Sequence, residues 1–195
     1  SYPIDYPKTG WSEQNPYDWY DACIEGMKEL LDGQDESTVG GISFGGQMHG
    51  LVILDKNDEV IRPAILWNDG RTTKQCEYLN EVIGRDKLYT ANIAFAGFTA
   101  PKILWVKENE PDNFAKIDKI MLPKDYIAYR LTGVHCTDVS DASGMLLFDV
   151  KNRRWSRQML DICGVTEAQM PRIFESSECV GTVKKDIADE LGIGS

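Results

Sequence analysis

Apolar residues at Trp19, Cys23, Ile24, Met27, Leu30 and Leu31 recur at three- to four-residue intervals, which gives a helix one apolar stripe over residues 17–32. Asp32-Gly33 supplies its stop. The period then changes. Val39 to Phe44 reads as a strand entering the pair Gly45-Gly46. Leu51-Val52-Ile53-Leu54, the turn Asp55-Lys56-Asn57-Asp58 and the run Val60 to Trp67 read together as a β-hairpin. That turn has no Gly or Glu at the offsets a calcium loop requires. From residue 70 onward the helical period dominates, with helices expected over about 70–83, 100–109, 112–118, 123–131, 155–162 and 184–191. Pro101, Pro111 and Pro123 sit near helix starts, where the missing N–H is not needed. A short hairpin is expected near Leu146 to Val150. No repeat or linker divides the chain, so the pattern predicts one α/β domain with a mixed sheet.

Composition narrows the function more than the fold. The 195 residues are 42% hydrophobic and 27% charged, with a net charge of −10. That acidity argues against a nucleic-acid surface, which needs clustered Lys and Arg. A nucleotide stays compatible, because backbone N–H groups and a metal ion can hold phosphates locally. Five scattered cysteines, Cys23, Cys76, Cys136, Cys163 and Cys179, form no C-x-x-C pair, so reduced thiols in a cytoplasmic protein are expected rather than a zinc site or disulfides. No apolar run approaches the roughly 18 residues of a membrane span, and no signal peptide opens the chain.

Four segments carry residues suited to chemistry. In Gly45-Gly46-Gln47-Met48-His49-Gly50, glycines allow a close backbone approach, while an amide, a thioether and an imidazole suit a polyhydroxylated ligand. The same run fits a tight turn with a satisfied, buried histidine equally well. In Trp67-Asn68-Asp69-Gly70-Arg71 an indole stands beside polar groups at a strand end, and Asp69 can equally cap the following helix. Thr99 and Pro101 explain a helix start in Gly97 to Asn109, with Leu104 and Trp105 as core. Asp138 and Asp141, in Thr137 to Gly144, fit turns and caps better than a glycosidase pair. The chain has no G-x-x-x-x-G-K-[ST] loop and no G-x-G-x-x-G. It also lacks H-E-x-x-H and G-x-S-x-G. His49 and His135 are too few and too far apart in sequence for a metal site.

Taken in order, these segments resemble the FGGY family of carbohydrate kinases, and within it the xylulokinases. Gly97 to Asn109 is similar to the family's first signature, with Thr99, Lys102, Trp105 and the pair Glu108-Asn109 in place. Gln47-Met48-His49-Gly50 resembles the xylulokinase sugar-contact motif. Ala64 to Arg71, Leu122-Pro123-Lys124-Asp125-Tyr126, and Thr137 to Gly144 followed by Trp155 are similar as well.

The resemblance implies a ribonuclease H-like, actin-like ATPase domain over residues 1–195, namely the N-terminal sugar-binding domain, lacking its first strand and cut at both ends. Ser1-Tyr2-Pro3 is not a natural start, and Glu190 to Ser195 reads as a helix leaving for a strand. The family's Asp-x-Gly-Thr strand, its catalytic aspartate and its adenosine-binding domain are all expected outside this chain. Met48 and His49 are implied to contact a ketose, with Gln47, Trp67, Asn68, Asp69 and Phe98 around them. The implied reaction is ATP-dependent phosphorylation of D-xylulose to D-xylulose 5-phosphate, with ATP and Mg2+ serving the intact enzyme and neither bound by this part alone. No catalytic, cofactor or metal residue is expected within the chain. Kinases for gluconate, ribulose or glycerol, and a non-catalytic sugar sensor, are the alternatives. The expected partner is a small sugar, not a nucleic acid or a membrane, and a homodimer is compatible with this reading.

Overall fold

A computed structural model describes residues 2–83 and 90–194, the side chain of Glu36 aside, so Ser1 and Ser195 lie outside it. Leu51 and Ile65 exchange two backbone hydrogen bonds (2.9 and 3.3 Å), and Ile61 N–H donates to Ile53 O at 3.1 Å. These join β2 (Val52–Leu54) to β3 (Ala64–Ile65) as the expected hairpin. On one side β3 pairs antiparallel with β1 (Glu13–Gln14). On the other, β2 pairs antiparallel with β4 (Lys119–Met121). A second sheet is parallel, β5 (Cys136–Asp138) with β8 (Arg172–Phe174), so the strands are mixed in direction. The short hairpin near residue 148 consists of β6 (Phe148–Asp149) and β7 (Arg154–Trp155).

The central hairpin is apolar without a break because both of its faces are covered. Successive side chains point to opposite faces. Leu51, Ile53 and Ile65 therefore enter one core, built with α2 (Thr73–Ile83) and α3 (Thr99–Asn109). Val52, Leu54, Ala64 and Leu66 enter another, built with Trp19 of α1 (Pro16–Leu31) and Tyr126 of α5 (Pro123–Thr132). β4 repeats the alternation: Ile120 belongs to the first core and Met121 to the second. Each fully buried Leu or Ile contributes about 1.5–3 kcal/mol, and the hairpin supplies them to both layers.

Several sequence expectations change. Val39 to Phe44 is not a strand; no described segment pairs with its backbone, and Val39 and Ile42 are exposed. A strand is defined by its neighbour, and Gly40-Gly41 weaken the preference further. The helix expected over 112–118 is one turn, α4 (Pro111–Phe114), because the chain must turn to deliver Lys119 into β4. Thr99 is the first residue of α3 and not its cap; Phe98 holds that position. α2 begins at Thr73, so Asp69 does not cap it. After α6 (Val139–Ser143) and β7, α7 runs over Arg157–Cys163 behind a Ser156 cap whose hydroxyl accepts from Met159 N–H. α8 (Lys185–Leu191) closes the described chain. All five cysteines are free thiols.

Candidate functional site

The hairpin ladder ends at Leu51 and Ile65, and the two chains leaving it carry His49 and Trp67. His49 is held in the left-handed region, at φ 67°, which a non-glycine residue adopts only when its surroundings enforce it. Three contacts do so. His49 O accepts from Thr99 Oγ1 (3.1 Å) and from Lys102 Nζ (3.0 Å), and the imidazole Nδ1 lies 2.9 Å from Gly144 O. A carbonyl can only accept, so Nδ1 carries the proton and Nε2 keeps a free lone pair. Burial lowers the pKa of His49 below its usual 6.5, against the opposing pull of the Gly144 carbonyl. The ring is therefore neutral at neutral pH, an acceptor for a ligand hydroxyl.

The imidazole has apolar neighbours. The Phe98 ring lies 4.9 Å from the imidazole, and Phe95 packs edge-on to Phe98 at 5.7 Å. The Met48 methyl and the His49 ring both lie against Gly144, where a Cβ would come 3.4 Å from Met48 Cε and 2.7 Å from His49 Nδ1. Gly97 faces Trp67 in the same way, with a Cβ there meeting Trp67 O at 2.7 Å. Only glycine allows either approach.

The other sequence-named residues divide. Trp67, 55% exposed, and Asn68 lie at the surface, with Trp67 O against Gly97. Gln47 turns inward: its Nε2 donates to Gln14 Oε1 (3.1 Å), which also accepts from Trp19 Nε1 (3.1 Å). Asp69 is committed elsewhere. It is buried, its carboxylate accepts Ser12 N–H (2.6 Å), and it forms a two-pronged pair with Arg71 Nε (2.9 Å) and Nη2 (2.7 Å). Arg71 is packed between the Trp11 ring (3.9 Å) and the Trp105 ring (4.8 Å). Asp69 thus serves the packing of the N-terminal segment rather than the open site.

Sequence reasoning missed the carbonyl of Gly144, 95 positions from His49, because no local pattern links them. It also read Lys102 as packing. The Lys102 side chain is wholly buried and donates to three carbonyls, of His49, Gly97 and Phe98. Burial pushes its ammonium down to about 7, with Asp69 opposing. Beside the site, Lys124 pairs with Asp138 and with Asp141 (2.9 Å), and Asp138 Oδ1 caps α6 by accepting Ser140 N–H (2.9 Å). Asp138 acts as cap and ion partner, and Asp141 as ion partner. Gly144 immediately follows α6, so this cluster sets the position of the carbonyl that His49 uses.

The family model described as "FGGY family of carbohydrate kinases, N-terminal domain" matches residues 1–195. The chain belongs to that family. An FGGY relative, the xylulose kinase of Escherichia coli (strain K12), is 42% identical over 192 residues, covering 98% of this chain and 40% of that protein. The crystal structure of a xyloylose kinase from Brucella ovis superposes with a TM-score of 0.93 at 40% identity, covering 100% of this chain and 40% of that one. The gluconate kinase of Lactobacillus acidophilus gives the same TM-score at 28% identity, again with 100% and 40% covered. The FGGY chain thus spans about two fifths of the length of the relatives it matches, and its fold is the ribonuclease H-like, actin-like fold of these sugar kinases. Among the described residues no helix is long and apolar enough to cross a membrane.

Proposed function

We propose that residues 1–195 form the sugar-binding side of an ATP-dependent ketose kinase, with D-xylulose as substrate and D-xylulose 5-phosphate as product. The observation that carries this reading is a neutral His49 whose Nδ1–H is committed to Gly144 O, which leaves Nε2 as the acceptor, with the Phe98 ring 4.9 Å from the imidazole and the Met48 methyl against the same Gly144. A sugar presents hydroxyl donors and acceptors around a ring or chain with C–H faces. Nε2 accepts one hydroxyl proton while Met48 and Phe98 cover the apolar face, and Trp67 and Asn68 close the rim. Gln47 orients the loop from behind through Gln14. The motif Gln47-Met48-His49 and the xylulose kinase relatives support xylulose over other polyols.

Phosphoryl transfer from ATP to a terminal hydroxyl is a matter of positioning and charge stabilisation, and this chain would supply the positioning of the acceptor. Among the described residues no group of three or more His, Cys, Asp or Glu side chains is arranged to hold a cation.

The test is a coupled ADP-release assay on the full-length protein with D-xylulose, D-ribulose, gluconate and glycerol, beside a His49→Ala variant. The expected outcome is preference for D-xylulose and a loss of about 100-fold or more in kcat/KM for His49→Ala, equivalent to about 2.7 kcal/mol of transition-state stabilisation. Preference for gluconate or another polyol would move the substrate and keep the kinase. A folded protein that phosphorylates none of the four would replace the kinase with a non-catalytic sugar sensor.

A further inference from the structure

Among the described residues Lys102 is the one fully buried lysine, and the proposed function leaves it without a role. Among the described residues no carboxylate pairs with it, and its three donors go to three backbone carbonyls. Two of these, Gly97 O and Phe98 O, belong to the turn that leads into α3. The third, His49 O at 3.0 Å, comes from a segment 53 positions away. A lysine that only capped its own helix would need the first two alone. An apolar side chain of the same length would fill the volume without the cost of burying a charge. The arrangement makes sense as a clamp: one cation fixes the distance between the turn carrying Phe98 and the turn carrying His49.

We propose that Lys102 is a positioning residue of the sugar site, clamping the His49 and Phe98 backbones so that the imidazole and the phenyl ring face one ligand. The inference rests on the reading of His49 as a sugar contact, but its geometric part does not. Two features of the site call for such a clamp. His49 sits at φ 67° and relaxes unless its carbonyl is held. The His49–Phe98 ring contact at 4.9 Å joins two segments whose described side-chain hydrogen bonds to each other come from Thr99 and Lys102. Thr99 Oγ1 ties the same carbonyl to the first residue of α3 at 3.1 Å, whereas Lys102 holds it together with the Gly97 and Phe98 carbonyls of the turn itself.

The experiment uses the full-length protein with Lys102→Met, which keeps length and volume and removes every donor, and Lys102→Gln, which keeps one donating group. Three quantities are read: the Kd for D-xylulose by calorimetry, the KM for ATP, and the His49 imidazole nitrogen resonances, assigned by their loss in His49→Ala. The expected result for Lys102→Met is a rise of tenfold or more in sugar Kd, an ATP KM within twofold of wild type, and His49 signals shifted away from the Nδ1-protonated form. Lys102→Gln should fall between. If Lys102→Met only lowers the Tm, while sugar Kd and the His49 signals stay at wild-type values below the melting range, the proposal is overturned and the lysine is structural. Should Lys102→Met fail to fold, Lys102→Gln is judged by the same three readings. If the wild-type protein binds no sugar, yet the His49 signals still move in the variants, the functional reading has failed and the clamp stands.

Discussion

Gly144 does more in this site than any property of glycine suggests. Its backbone sits at φ −85°, ψ −4°, a conformation open to alanine, so no strain would accompany substitution. The obstacle is steric: a Cβ would lie 2.7 Å from His49 Nδ1 and 3.4 Å from Met48 Cε. The imidazole would have to swing away and give up its bond to the residue's own carbonyl. Gly144→Ala is therefore expected to raise the KM for sugar about tenfold, the equivalent of one lost interaction of about 1.4 kcal/mol, with stability reduced by about 1–3 kcal/mol from overpacking. Steady-state kinetics beside a thermal melt check both. An unchanged KM would mean that the His49 ring plays no part in placing the sugar.

At the scale of elements, the segment before β1 is fastened by one buried ion cluster. Arg71 pairs with Asp69 (2.7 Å) and with Glu13 (2.7 Å), and Arg62 pairs with the same Glu13 (2.5 Å). Removing one partner of a buried pair leaves an uncompensated charge and costs about 3–5 kcal/mol. Asp69→Asn should lose stability of that order in urea unfolding while sugar KM, measured well below the transition, stays within twofold of wild type. A large KM change with intact stability would instead return Asp69 to the sugar site. This residue also marks where the sequence stopped being legible. The central hairpin, α1, α3 and α5 could be read because their apolar periods run long enough to count. Strands of two or three residues such as β1, β4, β5 and β8 give period two nothing to repeat over, and Val39 to Phe44 had the composition of a strand but no described partner. In the candidate site, Met48 and His49 stand in one motif and Phe98 in another, and the sequence named all three as expected sugar contacts through the family resemblance. Gly144 O, the Lys102 clamp and the diversion of Asp69 to Arg71 were not legible, because each depends on a contact between distant parts of the chain.

Across the whole molecule, most shifted carboxylates favour their charged form. Asp138, beside Lys124, and Asp58, beside Lys119, both lie below the usual range despite some burial, so their contributions to stability are lost in acid. Asp125 works the other way. It is buried at the start of α5, where Oδ2 accepts Leu122 N–H at 3.3 Å, and burial pushes it up to about 7 even though Lys124 pulls it down. A carboxyl with its folded pKa raised binds a proton that the unfolded chain has already released. Its contribution is complete below about pH 4, the unfolded value, and drains away as pH rises toward 7. Asp125→Asn holds the neutral form at every pH, keeps an acceptor for Leu122 N–H, and leaves Lys124 its bonds to Asp138 and Asp141. The variant should therefore melt close to wild type at pH 4, part-way above it at pH 5 and furthest above it at pH 8. The expected gain is at least the 2–4 °C that about 1 kcal/mol produces in a chain of this length. Melts at pH 4 and pH 8, in one buffer series, decide it. An equal offset at both would show that Asp125 is ionised throughout and that Lys124 outweighs its burial.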